Sequence, residues 1–75
     1  MNIEYTGNIE PITTTLKHIM LDKNIKQKNI SEYTGLSKQT ISNLLNNRND
    51  NMTLDTLKML CDSIGLKLII AIEEK

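Results

Sequence analysis

The 75-residue sequence is poor in the side chains that usually carry redox, metal or catalytic chemistry. Cys61 is the single cysteine, so no disulfide forms within the chain, and His18 is the single histidine, so a structural zinc site lacks ligands. No glycine-rich phosphate loop occurs, and no serine, cysteine or lysine has an evident neighbouring base. We therefore expect neither an enzyme nor a protein with a metal or other cofactor.

Long apolar runs are missing as well. No run approaches the roughly 20 residues that a membrane span needs, and the first ten residues lack the basic and apolar regions of a signal peptide. A chain of this length buries only about 60–65% of its unfolded surface, which supports one core and not two. The sequence therefore predicts a single cytoplasmic domain over residues 1–75 with no membrane partner.

The net charge is zero, but the charges are unevenly distributed along the chain. The middle of the chain holds four basic residues and one acidic residue, a net charge of +3, whereas the rest holds five basic and eight acidic residues, a net charge of −3. The charged residues of the middle are Lys26, Lys28, Glu32, Lys38 and Arg48. A basic middle presents a positive face to phosphate even in a neutral chain, and a dimer doubles that face.

The spacing of apolar residues predicts four short helices. The first begins at Pro11, which suits a first helical turn because no backbone donor is needed there, and it ends near Asn24. The second runs from about residue 26 to 33, the third from 38 to about 46, and the fourth from 54 to about 64. A loop rich in asparagine, residues 46–51, separates the last two helices.

The boundary between the second and third helices has the features of a tight turn. Gly35 is suited to the positive φ angle that follows a helix end, where a Cβ costs about 1 kcal/mol. Ser37 then supplies a hydroxyl that accepts from the free backbone donors of the next helix. In that third helix Ile41, Leu44 and Leu45 share one face, which leaves the polar residues on the others.

The last segment is rich in β-branched residues and predicts a C-terminal β-strand over residues 66–73. Residues 2–6 also alternate polar and apolar, and form either a short N-terminal strand or a frayed terminus. A lone strand cannot satisfy its backbone, so we expect homodimerisation through this strand; the alternative is a tail that packs on the helices and closes the core. The residues expected at the dimer interface are Leu68, Ile69, Ile70 and Ile72. The predicted fold is thus mainly α, a compact bundle of four short helices with a C-terminal strand.

A spaced pattern of residues runs through the second, third and fourth helices. It consists of Gln27, Ile30, Ser31, Gly35, Leu36, Ser37, Ile41, Ser42 and Leu44, followed by the run Thr53-Leu54-Asp55-Thr56-Leu57. This pattern resembles the helix-turn-helix family of phage Cro and repressor proteins, also called XRE-like, over about residues 16–64. The resemblance implies a helix-turn-helix over residues 26–46 whose second helix enters the major groove of double-stranded DNA.

The resemblance and the chemistry of the side chains indicate the same site residues. Base contacts are expected from Lys38, Gln39, Ser42 and Asn43. Glutamine and asparagine pair bidentately with adenine, and lysine donates to guanine, each good pair giving about 1–3 kcal/mol of discrimination. Contacts to the DNA backbone are expected from Gln27, Lys28, Ser37, Thr40 and Arg48. The alternative for Lys38, Gln39 and Asn43 is an ordinary solvated helix face.

The chain departs from the family pattern at several positions. Lys26 stands where a capping threonine or serine is usual, so the first helix of the motif is expected to begin loosely. Asn47 replaces a common glycine, a mild change because asparagine tolerates the left-handed conformation. Leu45 stands where a polar residue is frequent, and is expected to contact a partner or the fourth helix. The terminal strand replaces a fifth helix, which is similar to antitoxins in which such a strand joins two subunits.

Two functions fit these features. The first is a homodimeric transcriptional repressor or autoregulator that binds an inverted repeat with half-site centres about 34 Å apart. The alternative is an antitoxin-like protein that neutralises a partner toxin and represses its own operon, which the acidic ends and the apolar terminal segment favour. A helix-turn-helix adaptor that binds only proteins is a further alternative, because a fold does not guarantee a function.

Overall fold

The computed structural model describes residues 2–48 and 52–75, and within them the chain forms four α-helices. These are α1 (Glu10–Lys23), α2 (Gln27–Thr34), α3 (Lys38–Leu45) and α4 (Leu54–Ile64). Each boundary lies within one residue of the position predicted from the sequence. The predicted asparagine-rich loop is described as far as Arg48, and its residues 49–51 lie outside the described part of the chain.

Side-chain oxygens of preceding residues accept from free backbone donors at the starts of α1 and α4. At α1 the side-chain oxygen of Asn8 accepts from the backbone N–H of Glu10 at 3.0 Å, and Pro11 follows in the first turn. At α4 the hydroxyl of Thr53 accepts from the backbone N–H of Thr56 at 3.1 Å. Such contacts satisfy donors that have no partner within the helix, so each start is fixed by residues next to it in the sequence.

Left-handed residues set where the helices end. Asn24 follows α1 with φ 56°, Gly35 follows α2 with φ 78°, and Gly65 follows α4 with φ 81°. At α3 the left-handed residue is Asn47, one position beyond Asn46, with φ 57°. Because this conformation lets the next backbone N–H groups bond to the last carbonyls, each helix stops sharply at these positions.

The four helices bury one apolar core. Its centre is formed by side chains that are almost fully buried, with α2 supplying Ile30, α3 supplying Ile41 and Leu45, and α4 supplying Leu60 and Ile64. The remaining core residues are Leu16, Met20, Leu44, Leu57 and Cys61. In this packing α1 and α2 each contact both α3 and α4, and α3 is fixed with one face inward and one face outward.

The predicted C-terminal strand is wrong, and so is the suggested N-terminal one. In the described part of the chain no residue belongs to a sheet, and residues 66–75 follow α4 as an irregular segment. Leu66 and Leu68 pack against the core, whereas Ile69, Ile70 and Ile72 are 74%, 57% and 95% exposed. The segment has the composition of a strand but no neighbouring strand, so its backbone cannot form a ladder and two leucines anchor it on the helices instead.

Candidate nucleic-acid interface

Hydrogen bonds within residues 30–37 fix the turn between α2 and α3. The backbone N–H of Gly35 donates to the carbonyl of Ser31 at 2.9 Å, and the Ser31 hydroxyl donates to the carbonyl of Leu36 at 2.6 Å. Thr34 contributes both ways, because its hydroxyl donates to the Ile30 carbonyl and accepts from the Leu36 N–H. The half-buried Leu36 packs against the core, as its position in the motif predicts. The turn is therefore rigid, and it sets the angle at which α3 leaves α2.

The helix α3 has one buried face and one polar face. Ile41, Leu44 and Leu45 are in the core, which confirms the apolar face predicted from their spacing. The predicted base-contacting residues are outside this core: Lys38 and Gln39 are exposed, and Ser42 and Asn43 are half-buried. Leu45 is only 1% exposed, so it serves the core of its own chain.

Two carboxamide side chains on α3 are bonded to each other. The Nε2 atom of Gln39 donates to the Oδ1 atom of Asn43 at 3.0 Å, one helical turn away. A carboxamide has two donors and one carbonyl oxygen, so Gln39 keeps its oxygen and one N–H for another partner. Those two groups match the donor and acceptor that adenine presents in the major groove.

The hydroxyl groups at the start of α3 have distinct tasks. Ser37 accepts from the backbone N–H of Thr40 at 3.1 Å and donates its own hydrogen to the Thr40 hydroxyl oxygen at 2.9 Å. Because each hydroxyl has one hydrogen, Ser37 has none left for a phosphate, whereas Thr40 keeps its hydrogen free. Of these two predicted backbone contacts, Thr40 is the available donor and Ser37 holds it in place.

The start of α2 carries a cap that the sequence reasoning missed. Lys26 has no side-chain acceptor and cannot cap the helix itself, but the side-chain oxygen of Asn29 accepts from the Lys26 backbone N–H at 2.9 Å. This is half of a capping box, and the signal was an asparagine three residues after the N-cap position, Lys26. The expected loose start of α2 is therefore corrected. The cap fixes the backbone of the first turn, which carries the exposed Lys28 and the half-buried Gln27. Gln27 and Leu45 line one shallow groove.

The end of α3 leads directly to Arg48, whose side chain is exposed. The backbone N–H of Arg48 donates to the carbonyl of Asn43 at 2.8 Å, and that of Asn47 donates to the carbonyl of Leu44 at 3.3 Å. The predicted phosphate contact at Arg48 is thus tied to the same helix as the predicted base contacts. Lys26, Lys28 and Lys38 are exposed too, so the basic residues of the middle of the chain are accessible to solvent.

A contact between α1 and the end of α3 was also missed by sequence reasoning. Thr13 of α1 is fully buried, and its hydroxyl lies 3.1 Å from Oδ1 of Asn47. One turn later Lys17 donates from Nζ to Oδ1 of Asn46 at 3.2 Å. No local pattern signals these contacts, because they join residues 29 and 34 positions apart in the chain.

The remaining reactive groups lie elsewhere and have structural surroundings. Burial raises the pKa of the Cys61 thiol, which stays a protonated core side chain as predicted. On the exposed surface of α4 the hydrogen bond to Asp62, 2.7 Å long, raises the pKa of Lys58. His18 is exposed on α1, and the described residues contain no cluster of histidine, cysteine and acidic side chains that could hold a metal ion. None of the helices described is long and apolar enough to cross a membrane.

Two helices joined by a tight turn, the second of which presents a polar face, define the class of helix-turn-helix DNA-binding proteins. A family model for the Cro/C1-type helix-turn-helix DNA-binding domain matches residues 15–69, which include α2, α3 and α4 whole. The chain therefore belongs to the Cro/C1-type helix-turn-helix family and is a DNA-binding domain of that kind. Comparison with curated protein sequences and with solved structures gives no match.

Proposed function

We propose that this chain is a homodimeric transcriptional repressor or autoregulator that reads an inverted repeat in double-stranded DNA through α3. The observation that carries the proposal is the polar face of α3, which a buried apolar face and a rigid turn hold in a fixed orientation. Recognition by a rigid element costs little ordering entropy on binding, so fixed side chains favour discrimination between bases.

The proposed base contacts come from one side of α3. Gln39, with its amide oxygen and one N–H free, pairs with adenine, and Lys38 donates to guanine acceptors. Ser42 and Asn43 contact the next base pairs along the groove. The half-buried position of Ser42 suits a short reach to a base edge that α3 approaches closely.

The proposed phosphate contacts surround that side of the helix. Lys28 and Arg48 supply exposed positive charge, Thr40 supplies its free hydroxyl hydrogen, and Gln27 supplies its amide at the start of α2. Ser37 acts on phosphate through Thr40, whose side chain it orients. These contacts give affinity for any sequence and weaken as salt is raised.

A second copy of the chain is proposed as the partner on DNA. The eight residues of α3 span about 12 Å, enough to read only three or four base pairs, which is little for a specific site. Exposed Ile69, Ile70 and Ile72 provide an apolar surface for a second copy, with Leu68 supporting them from its place against the core. Two copies related by a twofold axis place two α3 helices on half-sites about 34 Å apart.

An antitoxin-like role is the second candidate. The terminal segments, residues 2–9 and 66–75, border one apolar groove together with residues of α1 and α4. This groove offers room for an apolar segment of another protein. The acidic residues Glu4 and Glu73 line the groove, and Glu74 follows Glu73 in the sequence. In this role the partner is a toxin, and the chain represses its own operon by binding to the operator.

Selection of bound sequences from a random duplex pool, at near-physiological salt, tests the proposal. Recovery of a palindromic motif with a spacing of about one helical turn between half-sites supports the homodimeric repressor. Recovery of a single, non-repeated half-site contradicts the dimer but retains base reading by α3. Recovery of no motif contradicts the repressor and favours a role that depends on a protein partner.

Replacing Ile70 with aspartate tests the dimer surface. A carboxylate in an apolar interface has no partner and is costly to bury, so the variant should sediment as a monomer at concentrations where the unchanged protein is a dimer. His18→Asp is the matched control, because it adds the same charge at an exposed position on α1. Dimers that persist in Ile70→Asp show that the interface lies elsewhere on the molecule.

A further inference from the structure

Thr13 is the one polar residue that is buried in the described part of the chain, and its hydroxyl lies between two oxygen atoms. It is 3.1 Å from the carbonyl of Glu10 in its own helix and 3.1 Å from Oδ1 of Asn47 beyond α3. A hydroxyl has one hydrogen, so it donates to only one of these neighbours at a time. Both contacts are satisfied when the hydroxyl donates to Glu10 and the Asn47 amide turns its N–H towards Thr13.

Asn47 occupies a position at which the backbone alone would favour glycine. Its φ of 57° is left-handed, and the N–H groups of Asn47 and Arg48 close the end of α3 on the carbonyls of Leu44 and Asn43. Glycine adopts this conformation with less strain than asparagine. The side chain of Asn47 therefore contributes something that glycine lacks, and its contact is the buried hydroxyl of Thr13.

A second contact lies one turn further along α1. Lys17 donates from Nζ to Oδ1 of Asn46, while Nδ2 of Asn46 donates to the carbonyl of Ser42 at 2.8 Å. Thr13 and Lys17 are four residues apart and so lie on the same side of α1. Both residues that end α3 are thus bonded to one side of α1.

We propose that Thr13 and Asn47 are positioning residues that hold the C-terminal end of α3 on α1 and so determine how sharply the protein discriminates between base sequences. We call this contact the Thr13–Asn47 clamp. The turn bonded to Ser31 holds the other end of α3, so the helix is fixed at both ends. Hydrogen bonds to base edges require donor and acceptor within about 2.7–3.2 Å, and a small tilt of α3 breaks them while the longer-range attraction to phosphate persists.

Asn47→Gly tests the clamp because it removes the side chain and keeps the left-handed backbone. The inference rests on base reading by α3, so the readout is the ratio of affinities for the selected site and for an unrelated duplex, measured well below the unfolding temperature. The ratio should fall roughly 2- to 10-fold, the range that loss of one net hydrogen bond gives. Thr13→Val, which keeps the shape and removes the hydroxyl, should lower the ratio equally, and the double variant should lose no more than either single one.

Thr13→Ser is the matched control, because it keeps the hydroxyl and loses only a buried methyl group. It should retain the ratio of the unchanged protein even though its free energy of unfolding falls. An unchanged ratio in Asn47→Gly overturns the proposal, and so does an equal loss of affinity for both duplexes.

Amide hydrogen exchange in the free protein tests the clamp without DNA. The N–H groups of residues 46–48 close the end of α3, and they should exchange faster in Thr13→Val than in Thr13→Ser. Equal exchange in the two variants overturns the clamp whatever the DNA measurements give. Faster exchange together with no sequence preference in the unchanged protein supports the clamp and contradicts base reading by α3, so the two failures are distinguishable.

Discussion

The helix-turn-helix unit, residues 27–48, buries most of its few apolar residues, whereas the terminal segments, residues 2–9 and 66–75, are richer in apolar residues and leave many of them exposed. In the unit, Ile30 and Ile41 are fully buried and the helix ends are closed by caps or left-handed residues. In the terminal segments, large side chains such as Tyr5, Ile69 and Ile72 are mostly exposed on an irregular backbone. The apolar side chains of the unit are buried by helices of the same chain, whereas several large apolar side chains of the terminal segments are exposed to solvent.

The difference shows how far local signals determine structure. A helix satisfies its backbone within one segment, so caps and apolar spacing are sufficient to specify it once a core is available. A strand satisfies its backbone only with another strand, so a β-branched run specifies a tendency and not a structure. We therefore propose that the unit carries base reading and that the terminal segments carry association with a partner.

The largest expected effect is a difference in stability between alanine substitutions at two isoleucines, one in the helical core and one in a terminal segment, that differ in burial. Ile64 at the end of α4 is 1% exposed, so Ile64→Ala should lower the free energy of unfolding by about 2–5 kcal/mol through lost burial and a cavity. Ile72 is 95% exposed, so Ile72→Ala should change it by less than about 0.5 kcal/mol. Urea unfolding followed by circular dichroism, at concentrations that keep the chain monomeric, measures both values. A loss of several kcal/mol in Ile72→Ala would break the comparison, because the terminal segment would then belong to the core.

The helices were predictable because their signals are local. Pro11, Gly35, Ser37, Thr53 and Gly65 each mark a boundary that the structure places within a residue or two. The strand prediction failed at residues 66–73, because the described part of the chain contains no strand with which this segment could pair. Two leucines then pack on the helices, an outcome that depends on where α4 ends in space and not on the segment itself.

The sequence predicted that the candidate site residues lie outside the apolar face of α3, but not the contacts within the chain that hold them; their contacts with DNA stay a prediction. The exposed positions Lys38 and Gln39 follow from the spacing of the apolar face of α3. The Thr13–Asn47 clamp does not follow, because it depends on how α1 crosses the end of α3. The bond between Gln39 and Asn43 has the spacing of neighbours on a helix, and sequence reasoning that considers pairs of polar residues one turn apart finds it.

The next largest effect, on DNA affinity, tests the proposed base reading by the unit. It compares a proposed base contact with a proposed phosphate contact. Gln39→Ala should weaken binding to the selected site by about 1–3 kcal/mol and leave binding to unrelated duplex nearly unchanged, because only base contacts distinguish sequences. Lys28→Ala should weaken both by the same factor and reduce the slope of log affinity against log salt by about one. Fluorescence anisotropy with both duplexes over a range of salt concentrations gives these values. Equal losses on both duplexes in Gln39→Ala would contradict its role in base reading.

The smallest effect compares two glycines with the same kind of backbone in the two regions. Gly35 has φ 78° and Gly7 has φ 101°, and an added Cβ meets no atom within 4 Å at either position, so conformation and not crowding decides the cost. Gly35 is held by its bond to Ser31 and by the turn around Leu36, so alanine there retains the strain and should cost about 1 kcal/mol of unfolding free energy. Gly7 precedes α1 in a segment with exposed neighbours, and the backbone can relax without losing a described turn contact, so Gly7→Ala should cost clearly less. Thermal unfolding of the two variants side by side measures the difference, and equal destabilisation would mean that the N-terminal segment is held as firmly as the turn.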